Sequence, residues 1–420
     1  MSRSLLIMVS VSLGFFFVTA TTFTSLGYVL YTMVSELGWS KAAAGASFSC
    51  LGLACGLSSP LPPLLMKWMG TRLTMFTGGL VLAGGFLLAS AVTGIGQFFV
   101  ATTLMGIGFS LVAPSPAVYL IATWFPATAG RLIGFYFMAG ALGGVVGPLI
   151  VGAIVGLNGS WRVHWLVMAV AAVALGMLFL LTIRDTVRIE STEQVKHAGA
   201  AQPQSAGIAA WTVREAITNR SFLLLALAML VVQTVVTTMH SVLVTHVASL
   251  GAGSAPGALA MSLLALSGTF AKGISGALTE RFPPKALLVT GLVLQCGSVA
   301  LLCVTATPGW AVVFALLFGI GWGLAWLSAH VLLLRYFGGA IAGDLVAMAT
   351  MATTFAVLGP LSAGWVADDT GSFVPVFLVF TAMLGAAGLV TALFLRAPVP
   401  GPAQVKRLEA FDEPMLVPAE

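Results

Sequence analysis

The sequence predicts an all-α membrane protein with twelve transmembrane helices in two pseudo-symmetric six-helix bundles. Of the 420 residues, 59% are hydrophobic and only 7% are charged, whereas soluble proteins carry about 25% charged residues. Apolar runs long enough to cross a bilayer, for which about 20 residues are needed, recur along the chain. The two halves of the chain also repeat each other in sequence. So few charges could not cover the surface of a soluble chain of this length.

The apolar runs define the helices in order. The first run resembles a signal peptide, because Arg3 precedes it and Val18-Thr19-Ala20 would suit a cleavage site. It stays apolar to about Tyr31, however, which is too long for a signal peptide and favours an uncleaved helix. We predict transmembrane helices at residues 5–33, 44–66, 73–93, 97–123, 131–156, 163–183, 221–248, 256–279, 286–305, 309–335, 343–366 and 373–396.

One long polar stretch separates the sixth predicted helix from the seventh and divides the chain. Its charged, Ala/Gln/Ser-rich composition is typical of a linker. We therefore predict a first six-helix bundle at residues 1–184, a cytoplasmic linker at 185–218, a second bundle at 219–398 and a cytoplasmic tail at 399–420.

The lysine and arginine residues predict the orientation. With the N-terminus inside, fifteen of the eighteen fall in cytoplasmic segments, Lys41 and Arg162 fall in outer loops, and Lys272 lies within a helix. Such an excess marks the cytoplasmic side of a membrane protein. We predict a multi-pass protein of the plasma membrane, here a bacterial inner membrane, with both termini in the cytoplasm.

The internal repeat predicts how the bundles are related. "GIGFSLVAPSPAVYLIATWFP" from Gly106 parallels "GIGWGLAWLSAHVLLLRYFG" from Gly319, 213 residues later, and the pair Gly147-Pro148 returns 212 residues later as Gly359-Pro360. A parallel repeat of six helices implies two bundles around an axis along the membrane normal, with a site between them near the midplane. Transporters have this architecture.

A loop motif then carries a resemblance to a known family. After the eighth helix, "GALTERFPPK" resembles the G-x-L-x-D/E-R-x-x-x-K/R loop of the major facilitator superfamily, with Gly276, Glu280, Arg281 and Lys285 in place. The matching loop of the first half, "PLLMKWMGTR", keeps Gly70 and Arg72 but has Lys67 where an acid is usual. The resemblance implies the major facilitator fold and a transporter function.

Three looser motifs resemble the monocarboxylate and oxalate–formate transporter branch of that superfamily. They are "ELGWSKAAAGASFS", "WFPATAGRLIGFYF" and "GWVADDTGSFVPVF". This resemblance implies a secondary active transporter of small organic monoanions, such as lactate or pyruvate, that works by alternating access and is coupled to protons. An anion exchanger of the oxalate–formate type and a drug-efflux antiporter on the same fold are the alternatives.

Lys272 is the one charged residue in the interior of a predicted helix, since the others lie at or near helix ends. A lysine in hydrocarbon costs at least about 2.5–3.5 kcal/mol on insertion scales. Its helix face is small or polar, with Gly268 nearby, whereas Phe270 and Ile274 lie opposite. None of the thirteen acids falls in a membrane core, so the simplest counter-ion is an anionic substrate. Alternatively, the side chain extends to the interface near Glu280, roughly 12 Å along the helix, or is neutral and buried.

The resemblance supports the substrate role. Its members carry a basic residue in helix 8 that binds the substrate carboxylate, and Lys272 falls at that place. Animal members have an aspartate where this chain has Gly268, and the further bases of relatives in helices 1 and 11 are missing. A single cation in the cavity favours a monoanion and argues against oxalate.

Other candidates come from helices that line the cavity in this superfamily. Tyr28 and Tyr31 lie in helix 1, Tyr119 in helix 4, and Trp322, Trp326 and His330 in helix 10. We select Tyr119, Tyr28, Trp326 and His330 beside Lys272 as substrate-binding residues, with packing as the alternative for each. Proton coupling is assigned to Lys272 or His330, and His240 is interpreted as a core residue.

Glycines and prolines predict the moving parts. Gly147, Pro148, Gly359 and Pro360 occupy corresponding places in the two halves, where small residues permit close approach and proline permits a bend. The spans contain no HExxH, GxSxG or paired-carboxylate motif of an enzyme. We expect no cofactor, metal or nucleic acid, and a monomer in the lipid bilayer.

Overall fold

The computed structural model describes residues 3–125, 129–184, 211–304, 307, 309–338 and 341–399. Throughout these residues the regular structure is helical and no strand is found. Eleven helices are long and apolar enough to cross a membrane, and the shorter apolar helix Lys41–Leu57 begins a further crossing. The predicted all-α multi-pass fold is therefore confirmed. Most of the predicted linker and nearly all of the predicted tail lie outside the described residues.

The first half forms six crossings, α1 to α6. Each overlaps the helix predicted for it: α1 is Arg3–Leu37, α2 is Lys41–Leu57 continued by residues 61–69, α3 is residues 71–90, α4 is Ile95–Val112 followed by Ser115–Trp124, α5 is Ala129–Asn158 and α6 is Trp161–Thr182. Gly70 separates α2 from α3 with φ 83° and ψ 167°. Only glycine adopts this conformation without strain, which explains the glycine of the loop motif.

The second half forms six further crossings. They are α7 (Arg220–Val247), α8 (Ala255–Arg281), α9 (Pro284–Val304), α10 (Trp310–Phe337), α11 (Ala342–Ala352, Thr353–Val357 and Leu358–Thr370 in succession) and α12 (Val374–Phe394). A short helix, Val213–Ile217, precedes α7 within the predicted linker. It is closed by a capping box between Thr212 and Glu215, in which the two residues satisfy each other's backbone donors.

Three of the described crossings are broken, and a proline accounts for the break in α4, whereas Pro148 lies inside the continuous helix α5. In α4 the break falls at Pro114, which lacks the N–H needed to continue the helical hydrogen bonds. In α11 a 3₁₀ turn occupies Thr353–Val357, and in α1 the helix breaks at Thr22. Breaks of this kind leave backbone groups that neighbouring helices must satisfy.

Glycines at equivalent positions of the sequence repeat form equivalent helix contacts in the two halves. A Cβ atom on Gly147 of α5 would collide with the carbonyl oxygen of Ala20 in α1, and one on Gly359 of α11 would lie 3.0 Å from the carbonyl oxygen of Thr234 in α7. In the same way, α4 packs on α2 through Gly106, and α10 packs on α8 through a glycine 213 residues later. Each half therefore uses the same helix pairs, and the glycines permit the close approach.

The two halves meet along α2 with α11 and along α5 with α8. At one end of the bundle, named here the closed end, the backbone N–H groups of Lys41 and Ala42 each donate to the carboxylate of Asp368 at 2.7 Å. The contact between α2 and α11 continues as far as Gly56 beside Thr354. The opposite end, where α1 begins and α8 ends, is named the linker end.

Candidate functional site

Lys272 lies close to the middle of α8. The helix has 27 residues, so it is about 40 Å long, and Lys272 lies roughly 14 Å from its linker end at 1.5 Å per residue. Phe270 and Ile274 are 63% and 57% exposed on the outer side of the bundle, whereas Lys272 is partly buried. The two unlike faces predicted for this helix are therefore present, and Lys272 is on the protein side.

The Lys272 ammonium lies over the indole ring of Trp322 in α10, 3.5 Å from the ring centre. Trp322 is in the middle third of α10, and a helical side chain points back toward the N-terminus of its helix. The amine therefore points toward the membrane midplane and away from Glu280, which is exposed at the linker end. Within the described part of the chain, no carboxylate makes an ion pair or hydrogen bond with Lys272.

Two histidines lie near this pair. The His240 ring of α7 meets the edge of Trp322 with ring centres 6.2 Å apart, and the His330 ring lies 5.1 Å from Trp326. His330 is about two helix turns beyond Trp322 on α10. Three groups that can carry positive charge are thus brought together by α7, α8 and α10.

The two histidines have the same hydrogen-bond geometry. Nδ1 of His240 is 2.8 Å from the carbonyl oxygen of Val236, and Nδ1 of His330 is 2.7 Å from that of Trp326. Each Nδ1 must carry a hydrogen to donate to a carbonyl, so Nε2 of a neutral ring is an acceptor. No other hydrogen bond to either ring exists among the described residues. Each Nε2 is therefore available to a ligand or to water.

We name the cationic site as Lys272, Trp322, His240, Trp326 and His330. All five belong to the second half, and the three residues of α10 follow one another at intervals of four, which places them along one helix face. The indole N–H of Trp322 is buried without a hydrogen-bond partner within the described ranges. The site therefore offers an ammonium and an unsatisfied donor, but no acidic group.

The first half of the chain has phenylalanine side chains at the position that corresponds to the cationic site. By the 213-residue spacing, Phe109 of α4 corresponds to Trp322. Its ring contacts Phe23 and Phe15, with ring centres 5.4 and 6.4 Å apart. Phe15 in turn stacks on the buried Tyr136. The pseudo-symmetry is therefore broken chemically, because the charged groups are in one half and an apolar cluster is in the other.

The tyrosines selected from the sequence lie in different surroundings. Tyr28 is 6% exposed, and its hydroxyl oxygen accepts a hydrogen bond from Ser254 at the start of α8, 3.0 Å away. This bond joins the two halves. Tyr119 is partly buried in the second part of α4, and its hydroxyl makes no hydrogen bond within the described chain. The structure shows no contact between Lys272 and either tyrosine.

The residues of the loop motif lie at the linker end. Glu280, Arg281 and Arg72 are exposed, and Gly276 and Lys285 are partly exposed. Nearby, Arg335 of α10 donates to the carbonyl oxygen of Thr279 in α8 at 2.7 Å. This bond ties the linker end of α8 to α10.

Sequence reasoning missed part of the cationic site. It selected Trp326 and His330 from α10 and left out Trp322, on which Lys272 lies. His240 is a buried residue bonded to a backbone carbonyl, as interpreted from the sequence, and the structure adds that its ring contacts Trp322. The four-residue spacing in α10 was the available signal for Trp322. No sequence signal could place His240 against Trp322, because their helices are far apart in the chain.

Comparison with known proteins identifies the family. The sequence profile of the Major Facilitator Superfamily matches residues 11–357. The chain belongs to this superfamily. Its members are transporters, so the protein is a multi-pass membrane transporter, as the loop motif and the repeat predicted. A comparison with curated protein sequences gave no match.

Solved structures of the superfamily share the fold. A mutant of the nucleoside transporter NupG superposes with a TM-score of 0.77 at 15% identity, over 94% of this chain and 100% of that one. A D-xylose-proton symporter gives 0.72 at 18% identity, over 94% and 99%. An inward-facing, unoccupied bacterial homologue of the human lysosomal transporter Spinster gives 0.70 at 16% identity, over 97% and 98%. At these identities the likeness concerns the fold alone.

Proposed function

We propose that the protein is a secondary active transporter of small organic monoanions, foremost monocarboxylates such as lactate or pyruvate. One observation carries the proposal: the Lys272 ammonium is held in the middle of the membrane without a carboxylate partner in the described chain. A charged group in hydrocarbon is expensive and is retained where it has a function. A substrate carboxylate would supply the missing counter-charge.

The charges and the aromatic surroundings favour a monoanion with an apolar body. Lys272 is the strongest base in the site and the group that most readily carries a positive charge, whereas His240 and His330 are weaker bases. One ammonium matches one carboxylate. The phenyl rings of Phe15, Phe23 and Phe109 in the first half suit hydrocarbon better than a second carboxylate. Oxalate is therefore the less favoured substrate.

The same site could couple transport to protons. His330 presents Nε2 as an acceptor while Nδ1 is bonded to the carbonyl oxygen of Trp326. Protonation would turn Nε2 into a charged donor on the residue about two helix turns beyond Trp322, on whose ring Lys272 lies. A second positive charge there would favour binding of an anion. His330 and Lys272 therefore stay the proposed coupling residues, and symport is preferred to the exchange mechanism.

A drug-efflux antiporter is the weaker alternative. A cationic drug would need an acidic group in the cavity, and the acidic residues of the described crossings lie at helix ends, for example Glu36, Glu280 and Asp368. The cationic site would repel such a substrate. The charge at Lys272 therefore favours an anion.

The mechanism we propose is alternating access in a bacterial inner membrane, with both termini in the cytoplasm. Lys41 and Arg162, the two basic residues predicted outside, both lie at the closed end. The orientation rule would then make the closed end the outer one. The contacts of α1 with the second half, such as that of Tyr28 with Ser254 at the start of α8, would have to part for the substrate to enter from outside.

Uptake of radiolabelled lactate, pyruvate, acetate, formate and oxalate into proteoliposomes, with and without an imposed pH gradient, tests the proposal. We expect uptake of a monocarboxylate by the wild type, loss with Lys272→Ala, and partial retention with Lys272→Arg. Arg214→Ala is the matched control, because it removes an exposed positive charge on the short helix before α7. Equal uptake by Lys272→Ala and Arg214→Ala would refute the carboxylate role.

A further inference from the structure

We propose that Trp322 is a positioning residue. Its ring supports one side of the Lys272 ammonium, so that the N–H donors on the other side of the ammonium face the substrate carboxylate. This inference rests on the function proposed above, since it describes how Lys272 meets its anion. It assigns Trp322 a role that neither the loop motif nor the basic residue itself supplies.

The contact has the geometry of a cation–π interaction. The ammonium nitrogen lies 3.5 Å from the ring centre of Trp322, well inside the range of about 6 Å in which such pairs attract, and tryptophan has the strongest ring face for this purpose. An ammonium group has three N–H donors. The ring occupies one side of the group, so donors on the other side stay free for a carboxylate.

Glycines hold the ring and the lysine in register. A Cβ atom on Gly268, one turn before Lys272, would lie 2.8 Å from Cε3 of Trp322, so the ring fills the space of a side chain there. A Cβ atom on Gly323 would lie 2.8 Å from the backbone nitrogen of Lys272. The glycines therefore let the two helices approach closely enough for the indole ring to reach the ammonium.

The neighbouring tryptophan serves as an internal contrast. Trp326 lies one turn along α10 and is also partly buried, but its ring lies beside His330 and not beneath Lys272. The edge of Trp322 is further restrained by His240. A change confined to the ring electrons should therefore affect Lys272 at position 322 and leave it unaffected at position 326.

Site-specific replacement of Trp322 by mono-, di- and trifluorinated tryptophan tests this role. Fluorine withdraws electron density from the ring face and leaves the shape nearly unchanged, so a purely structural role would not respond. We expect KM for the transported carboxylate to rise stepwise with each fluorine, by roughly 3- to 30-fold over the series, with kcat little changed. The same series at Trp310, which is the exposed first residue of α10 and lies outside the cationic site, is the matched control and should leave KM constant.

Substitutions by natural amino acids test the role of the Trp322 ring a second time. Trp322→Phe keeps a weaker ring face and should raise KM less than Trp322→Leu, which keeps apolar volume without a π system. A KM that is independent of fluorination at position 322, or that rises equally for the series at positions 322 and 310, would overturn the proposal.

A spectroscopic measurement tests the contact between Lys272 and Trp322 independently of the transport activity. The ¹⁹F NMR resonance of 5-fluorotryptophan at position 322 should move on Lys272→Met, and that at 326 should not. If the wild type carries no monocarboxylate, the proposed function fails by the uptake assay, and the positioning role falls with it. The resonance then reports independently whether the ammonium–ring contact exists. If uptake depends on Lys272 but the resonance at 322 does not respond to Lys272→Met, the positioning role alone is overturned.

Discussion

Replacing Asp368 by asparagine should loosen the closed end of the protein. The Asp368 carboxylate accepts hydrogen bonds from the backbone N–H groups of Lys41 and Ala42 at 2.7 Å each, the first residues of α2. A carboxylate at a helix N-terminus interacts favourably with the free N–H groups and the helix dipole. Because Asp368 is exposed, solvent reduces this gain. We expect the closed end to be destabilised by about 1–2 kcal/mol, which changes the ratio of closed to open forms roughly 5- to 30-fold.

The labelling rate of a single cysteine measures this change. Ser241 is 5% exposed and lines a cavity of about 20 Å³ at the closed end. A cavity of this size holds about one water molecule and excludes a maleimide, so we expect Ser241→Cys to be labelled only when this end opens. The native cysteines are first replaced by serine. Asp369→Asn is the matched control, because Asp369 is exposed and makes no hydrogen bond to α2 within the described chain. Equal labelling rates for Asp368→Asn and Asp369→Asn would refute the reasoning.

Two further substitutions test the glycine contacts. Gly268→Ala should displace the Trp322 ring and raise KM for the substrate several-fold in a folded protein, because the new Cβ would lie 2.8 Å from that ring. Uptake kinetics measure this KM. Gly273→Ala is the control and should leave KM unchanged, because a Cβ there meets nothing within 4 Å. Gly147→Ala should lower the thermal unfolding midpoint in detergent, because its Cβ would collide with a backbone carbonyl that cannot move aside. Gly156→Ala, whose Cβ meets nothing within 4 Å, is the control, and an equal midpoint for both variants would contradict the packing argument.

Most of the fold could be predicted because membrane helices follow a simple physical rule. Backbone polar groups cannot be left unpaired in hydrocarbon, so each crossing is a helix of about 20 apolar residues. Each of the twelve predicted helices overlaps an observed crossing. The breaks at Gly70 and Pro114 were also foreseeable, since a positive φ requires glycine and proline cannot donate a helical hydrogen bond.

The candidate site was less predictable because it depends on contacts between helices. Lys272 could be selected as a candidate site residue from the sequence, because it is a single charged residue within an apolar run. Its partner could not be identified, since Trp322 and Trp326 have the same residue type and similar surroundings in the sequence. The rotation of α10 about its axis decides between them, and it places the ring of Trp322 on the ammonium.

The hydrogen bond of Tyr28 is a second contact between helices that the sequence could not predict. The sequence predicts a substrate contact because the residue lies in the first helix, and the tertiary structure adds that its hydroxyl accepts a hydrogen bond from Ser254 at the junction of the halves. That junction depends on residues 226 positions apart in the chain. No local pattern of residues records such a pairing.

The sequence by itself therefore determined the membrane class, the twelve helices, the internal repeat and the presence of one charge in the hydrocarbon, because these follow from hydropathy and spacing along the chain. The tertiary structure decided what the charge contacts, which histidines lie beside it and which residues join the halves. These features depend on the rotation and approach of helices from distant parts of the chain, which are determined by packing between surfaces and not by the composition of any single helix.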